Sequence, residues 1–401
     1  MSYMSNPDRV FRLLMVNSSR GFIGGVERLM VSIANVLISE GFYIYGLFEN
    51  SVFEDPEFDG SFCEQIIHEN QDLAVVIDRL KSLQIDVVMI HKCSHWEWIQ
   101  QLTEHFPVVT IIHDHDYYCI RKHKYFPLKR INCHLPFNKF YCLICSGVLR
   151  SIKPKMRLIS SGHHSRLLHY IRRSTISFVL SEYMASNLVM NGWDYSTVRI
   201  LVPWQNTLQI PVARRSCEKS INILYVGQLI RGKGVDILLK ALSMLDFSWN
   251  AEIVGRGNDE EYLRNLSKKL GICDSVNFIG WSSDLDKHYG NADIVVVPSR
   301  WQEPFGLVGI EAFAHSKAVV AFDIGGISQW MRNGDNGLIA KAGDFRDLAK
   351  KITSLALNED LRSKVSERAY QDIETKYNKD RHIESLLKPL MDIINANEKN
   401  A

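Results

Sequence analysis

Short apolar runs alternate with helical stripes along almost the whole chain. Phe11–Val16 is such a run, and after a polar, glycine-containing loop Val26, Leu29, Met30, Ile33, Val36 and Leu37 recur at helical spacing up to Gly41. Further strand-like runs are Phe42–Phe48, Ile85–Ile90, Val108–Ile112, Ile176–Leu180 and Val198–Val202, with helical segments between several of them. The rhythm breaks at Pro203–Ser220, a polar stretch containing Pro211 that reads as a linker, and then restarts. Strand Ile221–Val226 is followed by helix Val235–Leu245, strand Ala251–Val254, helix Glu260–Leu270 and strands Val276–Ile279, Ile294–Val297 and Ala318–Phe322. Near the end Ile383, Leu386, Leu387, Leu390, Ile393 and Ile394 keep a helical stripe despite Pro389, and that stripe needs a partner surface. Alternating strands and helices predict an α/β fold with two parallel sheets, each covered on both faces.

At 401 residues the chain is too long for one ordinary core. The expected division is a first domain 1–202, the linker 203–220, a second domain 221–377 and a terminal helix 378–401. Hydrophobic content of 46% and charged content of 23% are those of a soluble globular protein. The net charge of +2 hides an uneven distribution. No Asp or Glu occurs from Tyr117 to Ser181, while thirteen basic residues fall there, Arg121, Lys122, Lys139, Arg166 and Arg173 among them. The N-terminus has no signal-like apolar run and no stretch reaches the ~20 apolar residues of a membrane span, so a cytoplasmic protein is expected. Eight cysteines in a chain of this length do not suggest a secreted disulfide scaffold.

The residues with chemical potential cluster where strands end. Ligands of open α/β sheets bind in the crevice beyond the carboxyl ends of the strands. After Ile294–Val297 comes Pro298-Ser-Arg-Trp-Gln-Glu303-Pro-Phe-Gly306-Leu307-Val308-Gly-Ile-Glu311, with a helix predicted over Leu307–His315. The start of that helix suits a phosphate, because its first N–H groups are unpaired and carry the positive end of the dipole. Glu303 then sits at the crevice mouth, with Glu311 about two turns inside the wall. Gly227-Gln228-Leu229-Ile230-Arg231-Gly232-Lys233-Gly234 follows the first strand of the second unit, and Gly24-Gly25-Val26-Glu27-Arg28 follows that of the first. His113-Asp114-His115-Asp116 follows Val108–Ile112, and Asp323-Ile324-Gly325-Gly326 follows Ala318–Phe322.

Together these elements resemble the retaining GT-B glycosyltransferases of family 4, the glycosyl transferases group 1. That resemblance implies two Rossmann-like domains facing across a cleft, with the last helix crossing back onto the first domain. It implies a nucleoside-diphosphate sugar on the second domain, its ribose on Glu311 and its diphosphate on the N–H groups of Gly306, Leu307 and Val308 and on Lys233. Glu303 and His113 would orient the transferred sugar, and Gly24 and Gly25 would approach the donor from the first domain. Two positions depart from the family pattern. Gln228 stands where the family has Arg, for which Arg231 is a candidate replacement, and Gln329 stands where an acidic residue is usual. The implied activity is metal-independent transfer to a glycan or lipid-linked acceptor in cell-surface polysaccharide synthesis, with no cofactor required.

Three further readings accompany this one. Asp114-His115-Asp116 is an Asp-x-Asp after an apolar strand, the arrangement with which a metal-dependent transferase holds Mg²⁺ or Mn²⁺. Cys119, Cys133, Cys142 and Cys145 lie in an insertion over 117–175 and end in C-x2-C, a candidate structural zinc site that four separate reduced thiols explain equally well. The basic tract 117–181, interleaved with Tyr117, Tyr118, Tyr125, Phe126, Phe137, Phe140 and Tyr141, suits an anionic membrane surface or anionic acceptor better than nucleic acid. This would place the protein peripherally on the inner face of the cell membrane. A non-catalytic scaffold of the same fold that binds membrane or polyanion is the competing class.

Overall fold

A computed structural model describes residues 10–22, 24–51, 55–68, 71–126, 131–150, 161–205 and 220–398. The first sheet contains β1 (Phe11–Arg20), β2 (Phe42–Ser51), β3 (Glu64–Ile67), β4 (Val87–Ile90) and β5 (Val108–Ile112). A hairpin of β6 (Tyr125–Phe126) and β7 (Ile131–Asn132) interrupts the sequence before β8 (Ile176–Val179) and β9 (Val198–Ile200) complete that sheet. Its order is β3-β2-β1-β4-β5-β8-β9, parallel throughout. The second sheet contains β10 (Ile221–Val226), β11 (Trp249–Val254), β12 (Val276–Gly280), β13 (Ile294–Val297), β14 (Ala318–Phe322) and β15 (Leu338–Ala340), in the order β12-β11-β10-β13-β14-β15. The whole of β13 is buried between β10 and β14, which is why its sequence is uniformly apolar.

Differences from the sequence expectation concern ends and edges. β1 continues through the polar Asn17-Ser18-Ser19, because Ser19 and Arg20 still pair with Asn50 and Ser51 of β2. β3 and β15 are three- or four-residue edge strands with no pattern strong enough to announce them. Of the expected linker, 206–219 lie outside the described residues.

The last helix, Lys379–Glu398, returns to the first domain with Pro389 inside it. Leu386, Leu387, Leu390 and Ile394 are buried in one apolar cluster with Phe11, Leu13 and Val109 of the first sheet and with Phe305 and Ile310 of the second domain. His382 Nδ1–H donates to the Val202 carbonyl (2.6 Å), and Ser385 Oγ accepts from the Val202 amide (3.1 Å). Among the described residues no helix is long and apolar enough to cross a membrane. Leu386→Ala should leave a cavity between this helix and the sheet and cost about 2–5 kcal/mol; denaturant unfolding checks it, and a midpoint equal to wild type would contradict this packing.

Candidate functional site in the cleft between the sheets

Both sheets aim their carboxyl ends at one cleft of about 430 Å³. Gly25, His113, Asp114 and His115 line it from the first domain, and Gln228, Lys233, Trp301, Glu303, Gly306, Leu307, Val308 and Glu311 from the second. The chain thus brings Lys233 and the opening of the helix Leu307–Ala314 to the same space.

Two close backbone approaches put Lys233 there. It lies in a single helical turn, Arg231–Lys233, after β10. Gly232 packs against the Trp301 ring, and Gly234, at φ +72°, lies so close to the Pro298 carbonyl that a Cβ would run into it. The Lys233 ammonium therefore emerges between the turn and the loop that follows β13. Its Nζ donates to Glu303 Oε1 at 2.7 Å and lies 4.8 Å from the centre of the Trp301 ring.

Glu303 is 5% exposed. Burial raises the cost of its charge, but the Lys233 ammonium and hydrogen bonds from Ser299 Oγ and Trp301 Nε1 outweigh that, and its pKa lies below the ordinary carboxylate value. Glu311 behaves oppositely: burial pushes it up, although Tyr289 Oη–H donates to its Oε2 at 2.7 Å. Gly306, at φ +89°, caps the helix that carries Glu311 and lets the chain turn out of the loop into it.

On the facing wall His113 Nε2 is 3.1 Å from His91 Nδ1. Burial, reinforced by the nearby Lys92 charge, lowers His113 to about 3, so the ring is neutral near pH 7. Gly24 is not among the cleft-lining residues; its amide donates to Glu27 Oε2 (2.8 Å), which fixes the start of the first helix, Gly25–Ser39.

Several expected site residues stand elsewhere. Arg231 does not line the cleft: its guanidinium pairs with Asp259 (3.1 Å) and lies 4.2 Å over the Tyr262 ring, so it is turned away from the place where Gln228 replaces an arginine. Asp114 and Asp116 are each already engaged, Asp114 on the cleft wall with Lys92 Nζ at 3.7 Å. Asp116 is 2.7 Å from Lys92 Nζ and 3.3 Å from Lys122 Nζ, and Asp114 accepts the Asp116 amide at 2.8 Å. The four cysteines line one cavity in the insertion, but three of the sulfurs are engaged singly, Cys119 by the Lys124 amide, Cys142 by the Asn138 amide and Cys145 by Arg121. Among the described residues no three ligating side chains are gathered as a metal site. Gln329 Oε1 accepts the Glu182 amide at 2.7 Å and so caps a first-domain helix from the second domain. Trp301, Ser299, Tyr289 and His91 were not singled out by sequence, although Ser299 and Trp301 lie in the loop that contains Glu303.

Two parallel, doubly wound units joined by a returning helix and facing across such a cleft are the GT-B class of fold. Over 95–96% of this chain it is similar to the crystal structure of a glycosyltransferase from Rickettsia africae (19% identity, 98% of that chain, TM-score 0.73) and to Anabaena HepE in complex with UDP-glucose (16%, 99%, 0.70). Residues 209–372, which span the second domain, match the model of glycosyl transferases group 1. It is 36% identical over 168 residues to an uncharacterized glycosyltransferase of Haemophilus influenzae, covering 41% of this chain and 47% of that protein. It is 24% identical over 241 residues to the lipopolysaccharide core biosynthesis glycosyltransferase LpsE of Rhizobium meliloti, covering 59% and 69%. The chain spans about half the length of the first two curated relatives it matches.

The depressed Glu303 pKa has a direction in pH. A carboxyl lowered in the folded state contributes stability that is present above its unfolded pKa, about 4.3, and lost as pH falls through the folded value. Glu303→Gln should therefore flatten the loss of stability between about pH 5 and pH 3 relative to wild type. Denaturant midpoints across that range measure it, and parallel curves would remove Glu303 from the linkage.

Proposed function

We propose that the protein is a retaining glycosyltransferase that moves a sugar from a nucleoside diphosphate to a hydroxyl of a glycan or lipid-linked acceptor. The observation that carries this reading is the shared cleft of Lys233, the open start of the helix Leu307–Ala314 and the two carboxylates Glu303 and Glu311. In this reading the nucleotide lies on the second domain with its ribose at Glu311. The diphosphate lies against the amides of Gly306, Leu307 and Val308 and against Lys233. As the bond from C1 of the sugar to the leaving phosphate breaks, negative charge grows on that phosphate, and fixed positive groups there stabilise the transition state more than the ground state. Glu303 and neutral His113 orient the sugar hydroxyls from opposite walls. Asp114, which lines the first-domain wall, has one oxygen on the Asp116 amide and the other 3.7 Å from Lys92 Nζ, an engagement that favours displacement on one face over a carboxylate nucleophile. Metal is not required, since the Lys233 ammonium and the helix opening supply the positive charge. LpsE, named for lipopolysaccharide core synthesis, favours a cell-surface saccharide as acceptor.

A panel of UDP-, GDP- and ADP-sugars assayed by mass spectrometry of the products tests the reading. Lys233→Ala should lower turnover by about 10²–10³ while the thermal melt stays cooperative. Proton NMR of the product should show the donor's anomeric configuration, and EDTA should leave the rate unchanged. Normal turnover by Lys233→Ala removes Lys233 from the chemistry, an inverted product rules out retention, and EDTA inhibition restores a metal mechanism.

The acceptor side extends to a membrane. Between 131 and 144, Ile131, Leu135, Phe140 (78% exposed), Tyr141 and Ile144 are all exposed, within the acid-free tract that also carries Lys122 and Lys139. Apolar side chains amid cations match an anionic lipid surface, which would place the protein on the inner face of the cell membrane. In co-sedimentation with phosphatidylglycerol vesicles, the double change Phe140→Asp and Tyr141→Asp should lower the bound fraction at least about five-fold. Equal binding by the two proteins would dismiss this surface.

A further inference from the structure

Within the proposed reading, the loop that carries Glu303 is held by the opposite domain. Three consecutive even-numbered carbonyls of this loop each accept a hydrogen bond from a first-domain side chain. Asn132 Nδ2 donates to Arg300 O (3.0 Å), His115 Nε2 to Gln302 O (3.0 Å) and Ser181 Oγ to Pro304 O (2.5 Å). The odd-numbered side chains between them, Trp301 and Glu303, face the cleft and meet Lys233. Fixing the backbone of the loop at these three carbonyls restrains the side chains that it carries.

His115 is the central member. It is 2% exposed, and burial lowers its pKa to about 4, so it carries a single N–H near pH 7. A carbonyl only accepts, so that hydrogen is on Nε2 and points at Gln302 O. Nδ1 must then accept, and it does so from the Tyr118 hydroxyl at 2.7 Å. The tautomer and the ring orientation are both set by neighbours. From the second-domain side, the Gly326 amide donates to Glu303 O (2.7 Å), so the loop is held on both flanks.

We infer that His115 and Asn132 are positioning residues for Glu303: docking of the first domain onto the backbone of Arg300–Pro304 sets the carboxylate and its partner Lys233 in register with the cleft. Neither residue needs to touch a substrate. The inference rests on the proposed transfer reaction for its kinetic consequence only, since the strut itself is a property of the fold.

His115→Phe keeps the ring and removes the donor, His115→Gln returns an N–H donor, and Asn132→Asp is isosteric without one. Deuterium exchange of the peptide covering 299–306 should be about ten-fold faster in His115→Phe and Asn132→Asp, near wild type in His115→Gln, and unchanged elsewhere in both domains. Donor turnover should fall about ten-fold in kcat with KM within two-fold, and His115→Gln should recover most of it. Should His115→Phe fail to fold, Asn132→Asp carries the same comparison. Unaltered exchange and kcat overturn the strut. Faster exchange spread over both domains also overturns it, since the bonds would then be general domain contacts. If wild type transfers no sugar but exchange responds locally, the strut stands and the transfer reading falls.

Discussion

The ion pair between Lys233 and Glu303 is the contact on which the rest of the cleft depends. Each partner comes from a loop at the end of a different strand, β10 and β13, and neither loop could approach the other without two glycines in the turn around the lysine. In a site this enclosed an unpaired ammonium or carboxylate would cost several kcal/mol. The pair, the Trp301 face and the Ser299 hydroxyl share that cost among them. Opposite charges 2.7 Å apart also leave the ammonium with donors to spare, since a lysine has three and Glu303 Oε1 takes one. An anion arriving at the helix opening can therefore be met by Lys233 without first breaking its contact with Glu303.

How much of this was legible in the sequence follows from how local each feature is. Buried parallel strands announce themselves as apolar runs, so β5, β10, β13 and β14 were placed with their observed bounds. Lys233, Glu303, Gly306 and Glu311 were legible because glycines and a strand end fix them within a few residues of chain. Arg231 was misplaced for the converse reason: Asp259 and Tyr262, which hold it, lie about thirty residues further on, and a cation pairs with the carboxylate and ring that the fold brings within reach whatever a motif suggests. The same holds for Asp114 and Asp116. An Asp-x-Asp reads as a metal pair until Lys92, from the neighbouring strand end, is seen to take Asp116.

His115 shows the limit most clearly. In sequence it is one histidine in a His-Asp-His-Asp run, and its partner is a backbone carbonyl 187 residues away. A carbonyl has no sequence signature, so neither motif nor periodicity could have named the contact. Trp301 is similar, since its role comes from the flat glycine surface of Gly232 and from the Lys233 charge, not from its own type.

The two positions that depart from the family pattern also gain a physical account from the fold. Gln329 sits where the domains meet and accepts a helix-opening amide of the first domain, a task for an oxygen acceptor that an amide performs without adding charge beside Glu182. Its departure therefore marks how this chain docks its two halves and says little about loss of activity. Gln228 lies in the cleft wall itself, and its backbone carbonyl accepts the Tyr225 hydroxyl at 2.9 Å, so the loop is anchored through the main chain whatever side chain it bears. With Arg231 turned outward, the positive charge from this wall comes from Lys233 and the helix opening. A site with fewer cations depends more on where the remaining one is held, which is why the close packing of Gly232, Gly234 and Trp301 around that lysine matters more here than an added arginine would.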